Sequence, residues 1–421
     1  MQIVMGFVGI LSLILIAVIF SSNRKAIKLR TVFGAFSIQA AIAAFVMLTD
    51  SGASVLNNFS GGVQAVIDSA NTGIGFLFGG LVSPKMFELF GGGGFIFAFN
   101  VLPIIIFFAS LMSVLYYIGV MQIVIKVFGG ALQKALGTSR TESMSAAANI
   151  FVGQTEAPLV VKPFLRSMTR SELFAVMAGG LSSVAGAVLV GYASLGISLD
   201  YLIAASFMAA PGGLLMAKLL EPETETPKDS MSQLDDEDLV NDSEEKPVNV
   251  IDAAASGAAA GLQLSLNVGA MLIAFIALIA LINTLLGSVG GIFGADELTL
   301  QLLLGYIFAP VAFLIGVPWS EALQAGSLLG QKLVVNEFVA YVDFVTFKET
   351  LSASTQVIIT VALCGFANLS SMAILLGGLG VMAPSRRKEI AQMGLKAVLA
   401  GTLSNFMSAA LVGLFFAMNL A

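Results

Sequence analysis

The chain has 421 residues, of which 57% are hydrophobic and only 11% charged, against roughly a quarter charged in an ordinary soluble domain. Apolar runs long enough to cross a hydrocarbon core about 30 Å thick recur along it, so an all-α polytopic membrane protein is expected. The sequence has no histidine and one cysteine, Cys364, which excludes His-ligated metals, Ser-His catalysis and an internal disulfide.

The first apolar run, Ile3 to Phe20, has neither a basic leader nor a small-residue cleavage site and reads as a retained helix. Arg24, Lys25, Lys28 and Arg30 follow it, and basic residues at helix ends stay cytoplasmic, so the N-terminus is expected outside. Thr31 to Leu48 returns outward, and Gly94 to Tyr117 runs inward to Lys126, Lys134 and Arg140. Gly61 to Gly80, Val120 to Leu136 and Leu298 to Val317 are amphipathic or proline-broken and are expected along the interface. The Gly91 to Gly94 run lacks a preceding strand and a following P-loop lysine, so it is read as the flexible start of a helix, not a nucleotide loop.

Ser145 to Leu165 is apolar with a polar midpoint, and Arg140 precedes it while Lys162, Arg166 and Arg170 mark its far end. Both ends therefore lie on the cytoplasmic side, as in a re-entrant hairpin. The net charge of −6 is local in origin. Residues 221–246 carry eleven acidic and two basic side chains, leaving +3 elsewhere, and read as a disordered cytoplasmic linker. Ala260 to Leu286 is long and rich in small residues, as a packing or oligomerisation helix would be. Leu328 to Phe347 again has a polar midpoint. The helix after it, about Thr355 to Leu376, must run inward to the basic turn at Arg386, Arg387 and Lys388, so this second hairpin enters from outside. Met393 to Leu420 then exits, placing the C-terminus outside as well.

Each hairpin precedes a helix broken by polar residues, Leu181-Ser182-Ser183 in one case and Leu369-Ser370-Ser371 in the other. Opposed hairpins and broken helices in inverted orientation are how many secondary transporters place a site near the midplane. The expected organisation is peripheral helices over 1–50, a first repeat over 61–220 with its hairpin at about 141–166, a linker over 221–249, and a second repeat over 250–421 with its hairpin at about 321–350. About eight transmembrane helices are expected besides the hairpins.

The chemistry is concentrated at the breaks. The first hairpin reads Asn149-Ile150-Phe151-Val152-Gly153-Gln154-Thr155-Glu156-Ala157-Pro158, and the second places Asn336 and Glu337 in a matching position. Carboxylates at membrane depth are costly and usually face a site. Both acids are expected buried, and as pure acceptors they suit a ligand with several hydroxyl donors while repelling an anion. Asn336 reads equally well as a cap for backbone groups freed at the break. The broken helices add Ser182, Ser183, Val184, Phe366, Asn368, Ser370 and Ser371. Asn149 and Ser183 oxygens with freed carbonyls at Val152 and Val184 would suit a small hard cation such as sodium.

Three blocks in order resemble the concentrative nucleoside transporters: Gly153-Gln154-Thr155-Glu156-Ala157-Pro158-Leu159; Lys332, three residues, then Asn336-Glu337-Phe338-Val339-Ala340-Tyr341; and Cys364-Gly365-Phe366-Ala367-Asn368-Leu369-Ser370-Ser371. The resemblance implies a bacterial inner-membrane homotrimer of eight transmembrane helices, two hairpins and three interfacial helices per subunit. It implies symport, not enzymatic turnover, of nucleosides such as uridine, cytidine or adenosine with sodium, or alternatively protons, by an elevator-like motion, with no further cofactor and no nucleic-acid partner. By position it implies Gln154, Thr155 and, through water, Val188 at the nucleobase, with Leu264 and Phe366 packed on it. It also implies Glu156, Glu337, Asn368 and Ser371 at the ribose, and Asn149, Val152, Ser183 and Val184 at sodium.

Overall fold

The computed structural model describes residues 2–83, 85–90, 95–228, 247–295 and 297–419. The Gly91 to Gly94 run and most of the acidic linker lie outside the described residues. In chain order the helices are α1 (Gln2–Ile19), α2 (Leu29–Leu48), α3 (Asp50–Phe78), α4 (Lys85–Leu89), α5 (Phe97–Asn100), α6 (Leu102–Tyr117), α7 (Val120–Leu136), α8 (Arg140–Ala148), α9 (Arg170–Ser182), α10 (Gly186–Ser194), α11 (Leu199–Leu220), α12 (Val250–Ile292), α13 (Leu300–Leu314), α14 (Trp319–Val334), α15 (Glu337–Phe347), α16 (Ala353–Leu363), α17 (Leu369–Met382) and α18 (Arg387–Asn419). No strand occurs among the described residues. Among the described residues, seven helical stretches are long and apolar enough to span a membrane, or eight if α13 and α14, bent by 116°, are one span. The expected tally of about eight holds, although its members differ: Asp50–Val82 qualifies, while the apolar stretch Ile3–Ile19 of α1 falls just short.

Three boundaries depart from expectation. The helix expected from Gly61 starts at Asp50, because the Thr49 hydroxyl caps it by accepting from the Gly52 amide at 2.9 Å and Asp50 complements the helix dipole. Helix α12 extends well beyond Ala260–Leu286 at both ends. Its start is capped by Asn249, which accepts from the Asp252 amide at 2.9 Å, and its 43 residues span ~65 Å at 1.5 Å per residue. The inward limb ending at Tyr117 is split at Val101 into α5 and α6.

The hairpins are unlike in build. The second consists of two α-helices, α14 and α15, meeting at Val335 and Asn336. The first, expected as a re-entrant hairpin, joins α8 to a 3-10 stretch, Ala157–Phe164, kinked at Val161. Pro158 and Pro163 explain this, since proline supplies no amide donor and prevents a regular α-helix through its position.

Opposite faces hold the two hairpins. Arg386 donates to the carbonyls of Met168 at 2.7 Å and Arg166 at 3.1 Å, so the basic turn before α18 abuts the end of the first hairpin. On the same face Ser139 with Glu142 and Thr169 with Glu172 form capping boxes at the starts of α8 and α9, and Glu142 pairs with Lys218 at 2.5 Å. At the far end of the α9–α10 helix, Lys348 donates to Gly196 O at 2.8 Å, and Ser352 bonds Glu321, joining the two ends of the second hairpin. The basic groups read as sharing one side of the membrane therefore do lie together, and the second hairpin enters from the other side.

The core is α9–α11, α16 and α18, whose small residues permit close approach. A Cβ on Gly401 of α18 would come within 2.8 Å of Leu181 Cβ on α9. By contrast α6 and α12 form an outlying pair. Their contact relies on Gly257 and Gly261, where a Cβ would lie 2.5 Å from Ser113 Cβ and 2.7 Å from Ala109 Cβ respectively. The other faces of α12 expose Leu262, Leu266, Ile273 and Leu281, among others.

Candidate functional site

The first hairpin's break lies across the break between α9 and α10. The Gly186 amide donates to Phe151 O at 3.0 Å, Ser206 Oγ donates to Ile150 O at 2.6 Å, and a Cβ on Gly180 would lie 2.9 Å from Gln154 Cβ. This docking gathers Asn149, Val152, Ser183 and Val184, all at most 5% exposed. Asn149 Nδ2 donates to Ser145 O at 3.0 Å, which aims its carbonyl Oδ1 the other way, and Oδ1 is buried without a hydrogen-bond partner. A buried orphan acceptor needs an explanation, and an unseen cation is one that its chemistry fits. Ser183 is partly committed elsewhere, its hydroxyl near Gly180 O at 3.4 Å and its carbonyl accepting from the Phe366 amide at 3.1 Å.

The second break is organised by capping. Asn336 Oδ1 accepts from Val339 N at 2.9 Å, starting α15, so of its two readings the capping one is realised. Asn368 Oδ1 accepts from Ser371 N at 2.8 Å and from Ser370 Oγ at 2.7 Å, starting α17. Those bonds fix the amide's orientation, leaving Nδ2 to donate to Glu337 Oε2 at 2.9 Å. Glu337 Oε1 accepts from the Tyr192 hydroxyl at 2.9 Å. Both carboxylate oxygens of Glu337, 4% exposed, are thus engaged.

The two carboxylates differ, which corrects the expectation that both are buried. Glu156 is exposed to the interior space between hairpin and scaffold, and Oε2 accepts from the Gly153 amide at 2.8 Å. The physical reason is the proline-interrupted, kinked 3-10 return limb that follows Glu156, which leaves this side chain at the hairpin's surface, whereas α15 carries Glu337 inward from its first turn.

All nine residues that the resemblance implies for the ligand, namely Gln154, Thr155, Glu156, Val188, Leu264, Glu337, Phe366, Asn368 and Ser371, line one cavity of about 540 Å³. The scaffold helix α12 closes it with Leu264, Asn267, Val268 and Met271. A second space of about 820 Å³ shares Glu156, Ala185 and Leu264 with the first and extends along α6 to Tyr116. The wall combines apolar surface with hydroxyl, amide and carboxylate groups, which suits an uncharged ligand rich in hydroxyl donors.

Sequence reading missed three contributors. Tyr192, which holds Glu337, gives no signal within its apolar helix. Asn267 faces the cavity from α12. Asn405 on α18 donates through Nδ2 to Ser182 O at 2.6 Å and Cys364 O at 3.1 Å, tying both broken helices together, and a lone amide in an apolar span is itself a signal.

A multi-pass helical chain with opposed hairpins and broken helices around one polar cavity is a membrane transporter of the secondary type, not an enzyme. Residues 201–413 match the family described as "Na+ dependent nucleoside transporter C-terminus", 8–81 its N-terminal counterpart, and 98–199 "Nucleoside recognition". The chain belongs to this family, the concentrative nucleoside transporters. It is 54% identical to the nucleoside permease NupC of Helicobacter pylori over 98% of this chain and 97% of that protein. It is 37% identical to sodium/nucleoside cotransporter 1 of Mus musculus, over 98% of this chain and 63% of that one. Its fold is similar to CNTnw in an inward-facing substrate-bound state, with TM-score 0.95 and 60% identity over 100% of this chain and 99% of that one. It is similar too to a CNTnw variant in an outward-facing state, with TM-score 0.96 and 60% identity over 99% of each.

Proposed function

We propose that this nucleoside transporter is a sodium symporter importing nucleosides such as uridine, cytidine or adenosine across a bacterial inner membrane, with both termini outside. The observation that carries sodium coupling is the unpartnered, buried Asn149 Oδ1 at the crossing of two chain breaks, where Val152, Ser183 and Val184 add oxygens. Carbonyl and amide oxygens at broken helices are the usual ligands of a coupling sodium. Proton coupling would not need such an oxygen. In this reading Gln154, Thr155 and a water on Val188 meet the base, Leu264 and Phe366 pack on its faces, and Glu156, Glu337, Asn368 and Ser371 take the ribose hydroxyls. Nothing beyond sodium is needed as a cofactor.

In the same reading each repeat, 61–220 and 250–421, contributes its hairpin and broken helix to a moving body that carries the site past an outlying pair, α6 and α12, in an elevator-like stroke. The exposed apolar faces of α12 suit a homotrimer interface. In proteoliposomes, labelled uridine or adenosine should enter several-fold faster under an inward sodium gradient than with choline. Uptake indifferent to sodium and abolished by collapsing a proton gradient would refute sodium coupling. The trimer is checked by the mass of the detergent-solubilised particle.

A further inference from the structure

Tyr116, in the last turn of α6, has a hydroxyl that is buried without a hydrogen-bond partner. Such a group is costly and calls for an explanation. Ala109, Ser113 and Tyr116 lie on one face of α6 and line the second space of about 820 Å³, while α12 lines it with Leu264, Ala260 and Gly257. Leu264 also lines the first cavity, and seven residues of helix cover ~10 Å, so the second space leads from that cavity to the Tyr116 end of α6. That end lies on the face where the first hairpin starts. Tyr117 donates to Val248 O at 3.3 Å, and the following α7 packs so closely on α8 that a Cβ on Gly129 would meet Met144 Cα at 3.0 Å.

Among the described residues that border this space, the one carboxylate is Glu156. Its Oε2 accepts from the Gly153 amide at 2.8 Å, and Oε1 accepts from none of the described residues. A donor without an acceptor and a carboxylate oxygen without a donor thus border the same space. Glu337 shows such a pairing complete, since its Oε1 holds the Tyr192 hydroxyl at 2.9 Å. Tyr192 and Glu337 both belong to the hairpins and broken helices, so their bond travels with them. Tyr116 belongs to the outlying pair, so a bond from it to Glu156 depends on where the first hairpin stands.

We propose that Tyr116 is the partner of Glu156 at the cytoplasmic end of the stroke, where its hydroxyl donates to the carboxylate in place of a ribose hydroxyl and lowers nucleoside affinity on that side alone. The proposal rests on the elevator-like reading above. A stroke towards the cytoplasm carries Glu156 along the second space to Tyr116, while α6 stays in place. A carboxylate oxygen engaged by the phenol is less available to the ribose, so the emptied inner state is stabilised and nucleoside rebinds less tightly there. At the outer end the two groups are apart, and Glu156 is free for the ligand. A contact made in one state shifts only that state, so release is favoured without weakening capture. Tyr116 acts through Glu156, hence as a positioning residue rather than a ligand contact.

The test uses the full chain in proteoliposomes of one orientation, with equal sodium on both faces, and reads half-saturating labelled uridine for influx and for efflux. Tyr116→Phe keeps the ring and removes the hydroxyl. Its half-saturating uridine for efflux is expected to fall at least fivefold, and that for influx to stay within twofold of wild type. In a Glu156→Gln background the same substitution is expected to change the efflux value less than twofold, because the charged acceptor is already gone. An unchanged efflux value in Tyr116→Phe overturns the proposal, as does an equal shift on both faces or a fivefold shift that persists beside Glu156→Gln. Tyr116→Leu, which also lacks the hydroxyl, takes its place if Tyr116→Phe is not recovered folded by gel filtration. The stroke is read separately from spin labels at Ile251→Cys, exposed at the start of α12, and Glu349→Cys, exposed beside α15, since Cys364 is buried. One fixed distance under every combination of sodium and uridine would refute the stroke and this proposal with it. A changing distance with an unaltered efflux value overturns the Tyr116 proposal alone.

Discussion

The two carboxylates should respond differently to the same neutral substitution. In Glu337→Gln, Asn368 cannot turn because Ser371 N and Ser370 Oγ hold its oxygen, so the new carbonyl must face Asn368. The new amide then faces Tyr192, whose hydroxyl has to reverse and accept. Two charge-assisted bonds, at 2.9 Å each, become neutral ones. Hydrogen bonds to charged groups contribute about 1.5–3 kcal/mol against about 0.5–1.5 for neutral pairs, so the nucleoside-free protein should lose on the order of 2 kcal/mol. Glu156→Gln keeps its bond from the Gly153 amide through the amide carbonyl, and its exposed position limits the loss to under about 1 kcal/mol. Binding should suffer in both, since each loses an anionic acceptor for ribose hydroxyls. A loss of 1.5–3 kcal/mol corresponds to roughly 10- to 150-fold in Kd. Thermal unfolding without nucleoside, and uridine titration calorimetry, separate the two effects. Equal drops in Tm for the two variants, or a Glu337→Gln affinity within twofold of wild type, would refute this account.

Further outcomes are expected elsewhere. Asn149→Ala removes the unpartnered oxygen and should raise half-saturating sodium at least tenfold in uptake assays, with folded yield unchanged; an unaltered sodium curve contradicts its role. Gly257→Leu forces α6 and α12 apart, because even a Cβ meets Ser113 Cβ at 2.5 Å, and should abolish a monodisperse gel-filtration peak. Glu221, at the end of α11 and 7% exposed, is pushed up by burial but held below the usual carboxylate range overall by Lys396, Ser22 and Arg170. A carboxylate with a depressed pKa stabilises the fold above its unfolded pKa, near 4.5, and loses that contribution as pH falls through its folded value. Glu221→Gln should therefore lower Tm at pH 7, and the gap to wild type should close as the pH is taken below about 4. A gap that is the same at pH 7 and pH 3 contradicts this.

The sequence by itself determined a good deal here. Few charges and no histidine pointed to a helical membrane protein without His-ligated metals or a Ser-His triad, and basic clusters assigned Arg166, Arg170 and Arg386 to one face, where they meet. Polar breaks at Asn149–Glu156, Asn336–Glu337 and Ser182–Ser183 stood out because polar groups are costly at that depth and so mark irregular backbone. Ser370 and Ser371 marked the fourth break for the same reason.

Only tertiary structure decided how those breaks divide the work. Tyr192 is an ordinary aromatic in an apolar helix until α15 brings Glu337 within 2.9 Å of it. Sequence cannot rank two carboxylates with matching surroundings, because burial depends on the neighbouring chain: a 3-10 limb interrupted by prolines leaves Glu156 facing the cavity, and a full α-helical turn sinks Glu337. The same holds for Lys332 and Asn405, 73 residues apart, whose joining of two broken helices exists only once α14 and α18 are packed side by side. Local composition fixes where backbone must break, whereas the partner of each freed group is set by what the fold carries to it.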